Sequence, residues 1–426
     1  MYHAGRWVRL NNLRWSKRMN QEPSRALNVV CLASYFKGND FMRECKRHGC
    51  RVVLVTKEKF LLEDWPRESL DDIISVPNDA SSDLFTHTVT QLARQMPVDR
   101  LVALEEFDVL NAGLIREHLR LPGMTSSHAR VFRDKLAMRC VARDAGIPVP
   151  DFVHVLNYDQ LREYMARVPP PWVMKPRSEV SALGIMKLSN DEEVWRAIDR
   201  LDMRESLRER SSHFLLERYV PGDVFHVDSL VEDGKVIFAG VNAYGRPPMD
   251  VTHGGGVFIS YTLEHESDDQ LALRDLNQKL VTSLGLETGA SHAEFIKGKE
   301  DGRFYFLEIA ARVGGAYIAE VLEASSGVNI WREWANMEIS TGRQPYELPP
   351  ARREYGGVAL SLARQEFPDT SSYVDPEIVY RVKKRHHVGL VVRSPELTRV
   401  RELLDEYARR FADEFVAVAP PLEKAE

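Results

Sequence analysis

Apolar residues gather in short runs near the start of the chain, with helical stripes between them. Leu27 to Ser34 is an apolar run of strand length, Phe41 to His48 follows as a helix, and Cys50 to Thr56 as the next strand. Asp72 to Val76 and Arg100 to Leu104 read as further short strands, with Leu84 to Gln95 helical between them. Strands alternating with helices predict a parallel sheet covered on both faces. This first unit ends at about residue 125.

The pattern then changes. Ser127 to Ala145 reads as one helix, stopped by Gly146 and the turn Ile147-Pro148-Val149-Pro150. Trp172 to Lys175 is a short strand ending at Pro176, Arg177 to Gly184 a loop, Ile185 to Leu188 a strand, and Asp191 to Asp199 a helix. Phe214 to Val220, Phe225 to Val231 and Val236 to Val241 read as strands, the last two joined by Glu232-Asp233-Gly234. The loop His253-Gly254-Gly255-Gly256 precedes a helix over Ser267 to Leu284, and another helix runs from about Ile318 to Ala324. From about Ala351, strands near Gly357 to Leu362 and Val388 to Val392 lead to a helix over Pro395 to Phe411. Its apolar stripe is Val400, Leu403, Leu404 and Tyr407.

Between those helices lies a hairpin that carries chemistry. His292, Glu294 and Ile296 share one face of its first strand, and Phe306, Glu308 and Ala310 one face of its second, because strand side chains alternate. A two-residue turn at Asp301-Gly302 would set Glu294 against Ile309. A three-residue loop, Glu300-Asp301-Gly302, sets it against Glu308 and places Gly302 where that loop needs a left-handed residue. Facing carboxylates repel, and a divalent cation such as Mg²⁺ removes the conflict. The plain alternative is a solvated hairpin with surface acids.

Bulk properties narrow the class. The chain has 426 residues and a net charge of -6, so the total charge favours no nucleic acid. The four cysteines, Cys31, Cys45, Cys50 and Cys140, form no CxxC pair, which fits free thiols in a reducing, cytoplasmic setting. No apolar run has the length of a membrane span. Residues 1–25 form a basic extension in which Glu22 faces six lysines and arginines, and Met19 offers a second start. Neither G-x-G-x-x-G nor G-x-x-x-x-G-K-[ST] occurs, which removes a dinucleotide-binding oxidoreductase and a P-loop enzyme.

Four pieces in order now acquire meaning: Arg133-Asp134-Lys135, Val173-Met174-Lys175-Pro176 with the loop to Gly184, Leu216 to Asp223, and Glu294 with Glu308 and Arg312. Their order and spacing, from about residue 27 to 345, resemble the ATP-grasp carboxylate–amine ligases. The resemblance implies an α/β protein. An N-terminal parallel-sheet domain (26–125) precedes a two-subdomain ATP-grasp fold (126–350, lid about 150–222) and a small α+β C-terminal unit (351–426). It implies ATP and Mg²⁺, or Mn²⁺, as cofactors. Lys135 and Lys175 would hold phosphates, with the loop through Ser181 and Gly184 folding over them. Glu217, Arg218, Tyr219 and Val220 would meet adenine through backbone groups, and Asp223 the ribose. Glu294 and Glu308 match the metal ligands. Arg312 matches the arginine on phosphate or acyl-phosphate, and Gly314 and Gly315 would let backbone approach the reacting carboxylate.

Two departures stand out. Many relatives carry asparagine where this chain has Ala310, which removes one ligand for a second metal ion, and the phosphate loop has only Gly184. The expected reaction joins a small-molecule carboxylate to an amine through an acyl-phosphate. Glu308 to Gly315 is similar to the amino-acid (dipeptide) ligase branch. The alternatives are a biotin-carboxylase-like enzyme that activates bicarbonate and a noncatalytic nucleotide-binding regulator. A homodimer is common among proteins of this kind. Arg246, Asp250 and His253 mark a specificity loop by position, and His292, His226 and Asp228 read equally as substrate contacts or structural groups. The His386-His387 pair, in the basic run Arg381 to His387, reads as a solvated segment.

Overall fold

A computed structural model describes residues 25–179, 183–247, 256–343 and 346–417. The basic extension before Arg25 lies outside them. The first elements are β1 (Asn28–Ala33), α1 (Asn39–Arg47), β2 (Arg51–Lys57), β3 (Asp72–Val76), α2 (Ser82–Ala93), β4 (Arg100–Ala103) and α3 (Asp108–Leu119). The four strands pair in parallel in the order β3-β2-β1-β4. Both faces are buried: Val30 and Leu32 enter one core, Val29 and Cys31 the other. That double burial explains why these strands read as unbroken apolar runs.

The single helix expected over Ser127 to Ala145 is two, α4 (Ser126–Val131) and α5 (Lys135–Asp144). Asp134 breaks it. Its backbone is extended and its carboxylate caps α5, accepting from the backbone N–H groups of Leu136 and Ala137. The cap makes Lys135 the first residue of α5.

The next module has its own small core. β5 (Phe152–His154), α6 (Tyr158–Arg167), β6 (Trp172–Pro176), β7 (Met186–Leu188), α7 (Asp191–Asp202) and β8 (Phe214–Arg218) form an antiparallel sheet in the order β5-β8-β6-β7. Trp172, Met174, Leu161 and Ile198 pack inside it. This is the segment expected as a lid.

The remaining strands form one antiparallel sheet. They are β9 (Gly222–Glu232), β10 (Lys235–Tyr244), β11 (Phe258–Thr262), β12 (Gly289–Gly298), β13 (Phe304–Ala310), β14 (Tyr355–Leu362), β15 (Ile378–Arg381) and β16 (His387–Ser394). Their order is β13-β12-β9-β10-β11-β14-β16-β15, so the C-terminal strands extend the central sheet. Its helices are α8 (Asp268–Leu284), α9 (Ile318–Ser326), α10 (Ile330–Ser340) and α11 (Leu397–Glu414). The stripe Val400, Leu403, Leu404 and Tyr407 of α11 is buried, as its spacing predicts. Helices α3, α6 and α10 and the short strands β5, β11 and β15 have no counterpart in the pattern reading. No helix among the described residues is long and apolar enough to cross a membrane.

Candidate active site

Glu294 and Glu308 do face each other across β12 and β13, but the loop is not the reason. Gly298 N–H donates to the Arg303 carbonyl, which leaves four residues in the connection and shifts the register by one. A bulge at Leu307 restores it: Phe295 faces Phe306, and Glu294 faces Glu308. Gly302 is left-handed, as expected, with φ +66°. The bulge also corrects the face assignment. Phe306 turns into the core beside Phe295, while Leu307 joins Glu308 on the site side.

The two acids are held differently. Glu294 Oε1 accepts from the Tyr244 hydroxyl at 2.8 Å, and Glu308 Oε2 pairs with Lys135 Nζ at 2.8 Å. Burial alone would raise the Glu308 carboxyl, but Lys135 and then Lys175 pull it down to about 2. Burial, then the Glu294 charge, keeps the Tyr244 phenol well above its usual range and therefore a donor. Glu294 Oε2 and Glu308 Oε1 have no protein donor among the described residues. Two facing carboxylates with free oxygens are a donor set that fits Mg²⁺.

Lys135 also donates to the Glu179 carbonyl at 2.7 Å. Lys175, on β6, is buried and pairs with Glu217 at 2.5 Å. Burial lowers its ammonium to about 8, although Glu217 opposes the shift. Glu217 therefore acts through its side chain: it also accepts from Arg139 Nε at 3.0 Å. Pattern reading missed Arg139. Its only signal is the i, i+4 spacing from Lys135, which sets both cations on one face of α5.

Arg312 donates to Glu106 at 2.9 Å, and the same carboxylate accepts from Arg133, which reaches the Ser178 carbonyl at 2.7 Å. Burial would lower the Arg312 guanidinium, but Glu106 and Glu105 raise it. Lys37, just beyond β1, pairs with Glu105 at 2.7 Å. Sequence reading missed Glu105, Glu106 and Lys37, because partners from a different module carry no local spacing. Gly314 has a packing reason: a Cβ there would lie 2.6 Å from Asp228 Oδ1. Gly315 lines the cavity.

Under these groups His226, Asp228 and His292 form a buried cluster. Asp228 takes His226 Nδ1 at 2.6 Å and His292 Nδ1 at 2.8 Å, and His226 Nε2 lies 2.7 Å from Ser260 Oγ. Their ligand atoms lie within 4.8 Å of one another, a set that could take a metal, but the nitrogens facing Asp228 are already engaged. His292 lies directly across from Ala310. Burial would lower the His292 imidazole, but Asp228 outweighs it and raises it to about 9. Its charge thus stabilises the fold fully below the ordinary histidine range and progressively less as pH rises through about 9. Urea unfolding between those limits should lose up to about 1.4 kcal/mol per pH unit. His292→Gln should flatten that slope. An unchanged slope would show that another group carries it.

One cavity of about 380 Å³ collects most of the expected site: Lys135, Lys175, Glu217, Arg218, Tyr219, Val220, Glu294, Glu308, Arg312 and Gly315. Residues 217–220 differ from the expectation in detail. Arg218 and Tyr219 spend their N–H groups on the carbonyls of Asp151 and Pro171, and the Val220 N–H has no protein acceptor among the described residues. Lys187 Nζ sits 3.7 Å from the Tyr219 ring centroid. Asp223 does not line the cavity. It lies opposite Lys297, on the face away from Gly222, Val224 and Ile296, which do line it. Strand alternation therefore places Asp223 outside the cavity wall in this arrangement. Gly184 is left-handed and lies between Leu183 and Ile185, which line the cavity. Ser181, Asp250 and His253 lie outside the described residues. Arg246 lies within them, beside Pro247 of the cavity wall.

A lid sheet and a central sheet that enclose lysines, an arginine and two facing carboxylates define the ATP-grasp fold. Residues 168–320 match the ATP-grasp domain family. It is 24% identical over 252 residues to the L-arginine-specific L-amino acid ligase of Bacillus subtilis, a match over 58% of this chain and 59% of that protein. The chain therefore spans less than two thirds of that relative's length. The L-amino acid ligase of Bacillus licheniformis has a similar structure, with a TM-score of 0.72 at 18% identity, covering 93% of this chain and 99% of that one. The biotin carboxylase domain of 2-oxoglutarate carboxylase from Hydrogenobacter thermophilus, solved with MgADP and bicarbonate, gives a TM-score of 0.67 at 17% identity, over 92% and 91% of the two chains. At these identities the structural likeness is one of fold.

Proposed function

We propose that this protein is an ATP-dependent ligase that activates a substrate carboxylate as an acyl-phosphate and joins it to the amine of an amino acid. The observation that carries this reading is the opposition of Glu294 and Glu308 across β12 and β13, in one cavity with Lys135, Lys175 and Arg312. The carboxylate oxygen attacks the γ-phosphorus of ATP, the bridging P–O bond breaks, and ADP leaves. The amine nitrogen then attacks the acyl carbon, the C–O bond to phosphate breaks, and phosphate and one proton are released.

The protein's part is positioning and charge neutralisation. Lys135 and Lys175 face the phosphates, and Val220 N–H is the free donor for the adenine edge. Arg312, oriented by Glu106, meets the transferring phosphoryl group with its planar fork. Glu294 and Glu308 would hold Mg²⁺, which when bound offsets charge developing on the phosphate oxygens. The lid keeps water from the acyl-phosphate.

Phosphate release from Mg-ATP, scanned over amino acids singly and in pairs with mass spectrometry of products, tests the reading. Release that depends on a particular pair, with a product one water lighter than the summed substrates, is the expected result. Release driven by bicarbonate alone would move the protein to carboxylase chemistry. ATP binding with no turnover on any carboxylate would make it a nucleotide-binding regulator.

A further inference from the structure

We infer that a second cavity, between the N-terminal sheet and the lid, binds a small multivalent anion. It measures about 510 Å³ and shares Pro176 and Glu179 as lining with the cavity described above. The inference does not depend on the ligase reading.

The fold supplies the first argument. The carboxyl ends of all four parallel strands open on to this cavity: Ser34 follows β1, Lys57 closes β2, Ala80 follows β3 and Phe107 follows β4. Open parallel sheets hold ligands in the crevice outside their strands' carboxyl ends. Helices begin on that edge and present the positive ends of their dipoles. Ser82, the first residue of the 12-residue helix α2, lines the cavity.

Charge supplies the second, independently. Lys57, Arg130 and Arg208 line the cavity from three separate elements: the end of β2, helix α4, and the 3-10 turn Leu207–Glu209 of the lid. None of them has a carboxylate in ion-pair reach among the described residues. The other two arginines of the lining do: Arg133 pairs with Glu106, and Arg177 with Asp134. The only acids in the lining are Asp134 and Glu179. An excess of positive charge therefore converges on one concavity with no protein partner. Like charges held together repel unless a counter-charge joins them.

The ligand chemistry follows from the donors. Lysine and arginine from three directions, with a helix N-terminus, suit a small molecule carrying a phosphate or several carboxylates. Because Arg208 belongs to the lid and Lys57 to the N-terminal sheet, such an anion would join the two modules beside the wall shared with the first cavity.

Isothermal titration calorimetry of the full chain at low ionic strength, without nucleotide, tests this with inorganic phosphate and citrate as probes. Saturable binding of at least one probe is expected, weakened at least about tenfold in the double variant Lys57→Ala, Arg208→Ala. The charge-keeping pair Lys57→Arg, Arg208→Lys should retain it. Phosphate alone would assign a phosphoryl ligand, citrate alone a polycarboxylate. Binding of neither probe, or equal binding by the wild type and the alanine pair, would each overturn the inference.

Discussion

Glu308→Gln should lower kcat by about 10²–10³-fold, the scale for removing one preorganised electrostatic partner, while the protein keeps its fold. The wild-type carboxylate is ionised because burial, which would raise it, is outweighed by Lys135 and Lys175, leaving it at about 2. Glutamine keeps the shape and an acceptor for Lys135, 2.8 Å away in the parent. It removes the charge that opposes Glu294 across the hairpin. The loss should be accompanied by a shift of the Mg²⁺ dependence to higher concentration. A residue that only braced Lys135 would leave that dependence alone. Turnover within twofold of the parent, or an unmoved Mg²⁺ curve, would remove Glu308 from the metal site.

That the two acids meet was legible in the sequence; the way they meet was not. Alternation places Glu294 and Glu308 on one side, but the bulge at Leu307 reflects packing of Phe306 against Phe295 in the core, and no local rule reports it. The same limit appears at Asp134. Read as a helix interior residue it carries no break, yet as a cap it starts α5 and sets Lys135, its first residue, in the wall of the first cavity. Asp223 shows the limit from another side: the resemblance implies a ribose contact, while the strand begins at Gly222 and alternation turns Asp223 away from the cavity wall. Helix α3 was missed because Gly113, a weak helix former, is used there for contact: a Cβ would lie 2.9 Å from the Ser126 backbone. The partners that orient the cations, Glu106 for Arg312 and Glu217 for Lys175, come from other elements, so only the folded chain joins them.

The cluster of Arg139, Lys175 and Glu217 gives the largest expected effect on stability. Glu217 is 3% exposed, Lys175 5% and Arg139 0%, so one carboxylate answers two cations away from water. Glu217→Ala should destabilise the fold by about 3–5 kcal/mol, because it leaves both buried charges without their paired carboxylate. Arg139→Met should cost less, since Glu217 and Lys175 remain paired at 2.5 Å. Combining the two should cost less than the sum of the separate losses, because with Glu217 gone Arg139 is itself an uncompensated charge. The pH dependence has a definite sign. Burial would raise the Glu217 carboxyl, but Arg139 and Lys175 hold it below its usual value, so its stabilisation is present above the ordinary carboxylate range and fades as pH falls below it. Lys175 acts in the other direction. Burial lowers it to about 8, so the native state binds fewer protons at Lys175 than the unfolded chain between there and the ordinary lysine range, and the Lys175 contribution to stability rises with pH across that window, opposing the loss at His292 where the two overlap. In Glu217→Ala the ammonium loses its partner and falls further, and a lysine neutral at pH 7 no longer offsets phosphate charge. Stability and ATP affinity should therefore fall together. Urea unfolding and ATP titration on the same preparations check both. A loss below about 1 kcal/mol, the range of exposed pairs, or unchanged ATP affinity would show that Glu217 does not hold Lys175 in its charged state.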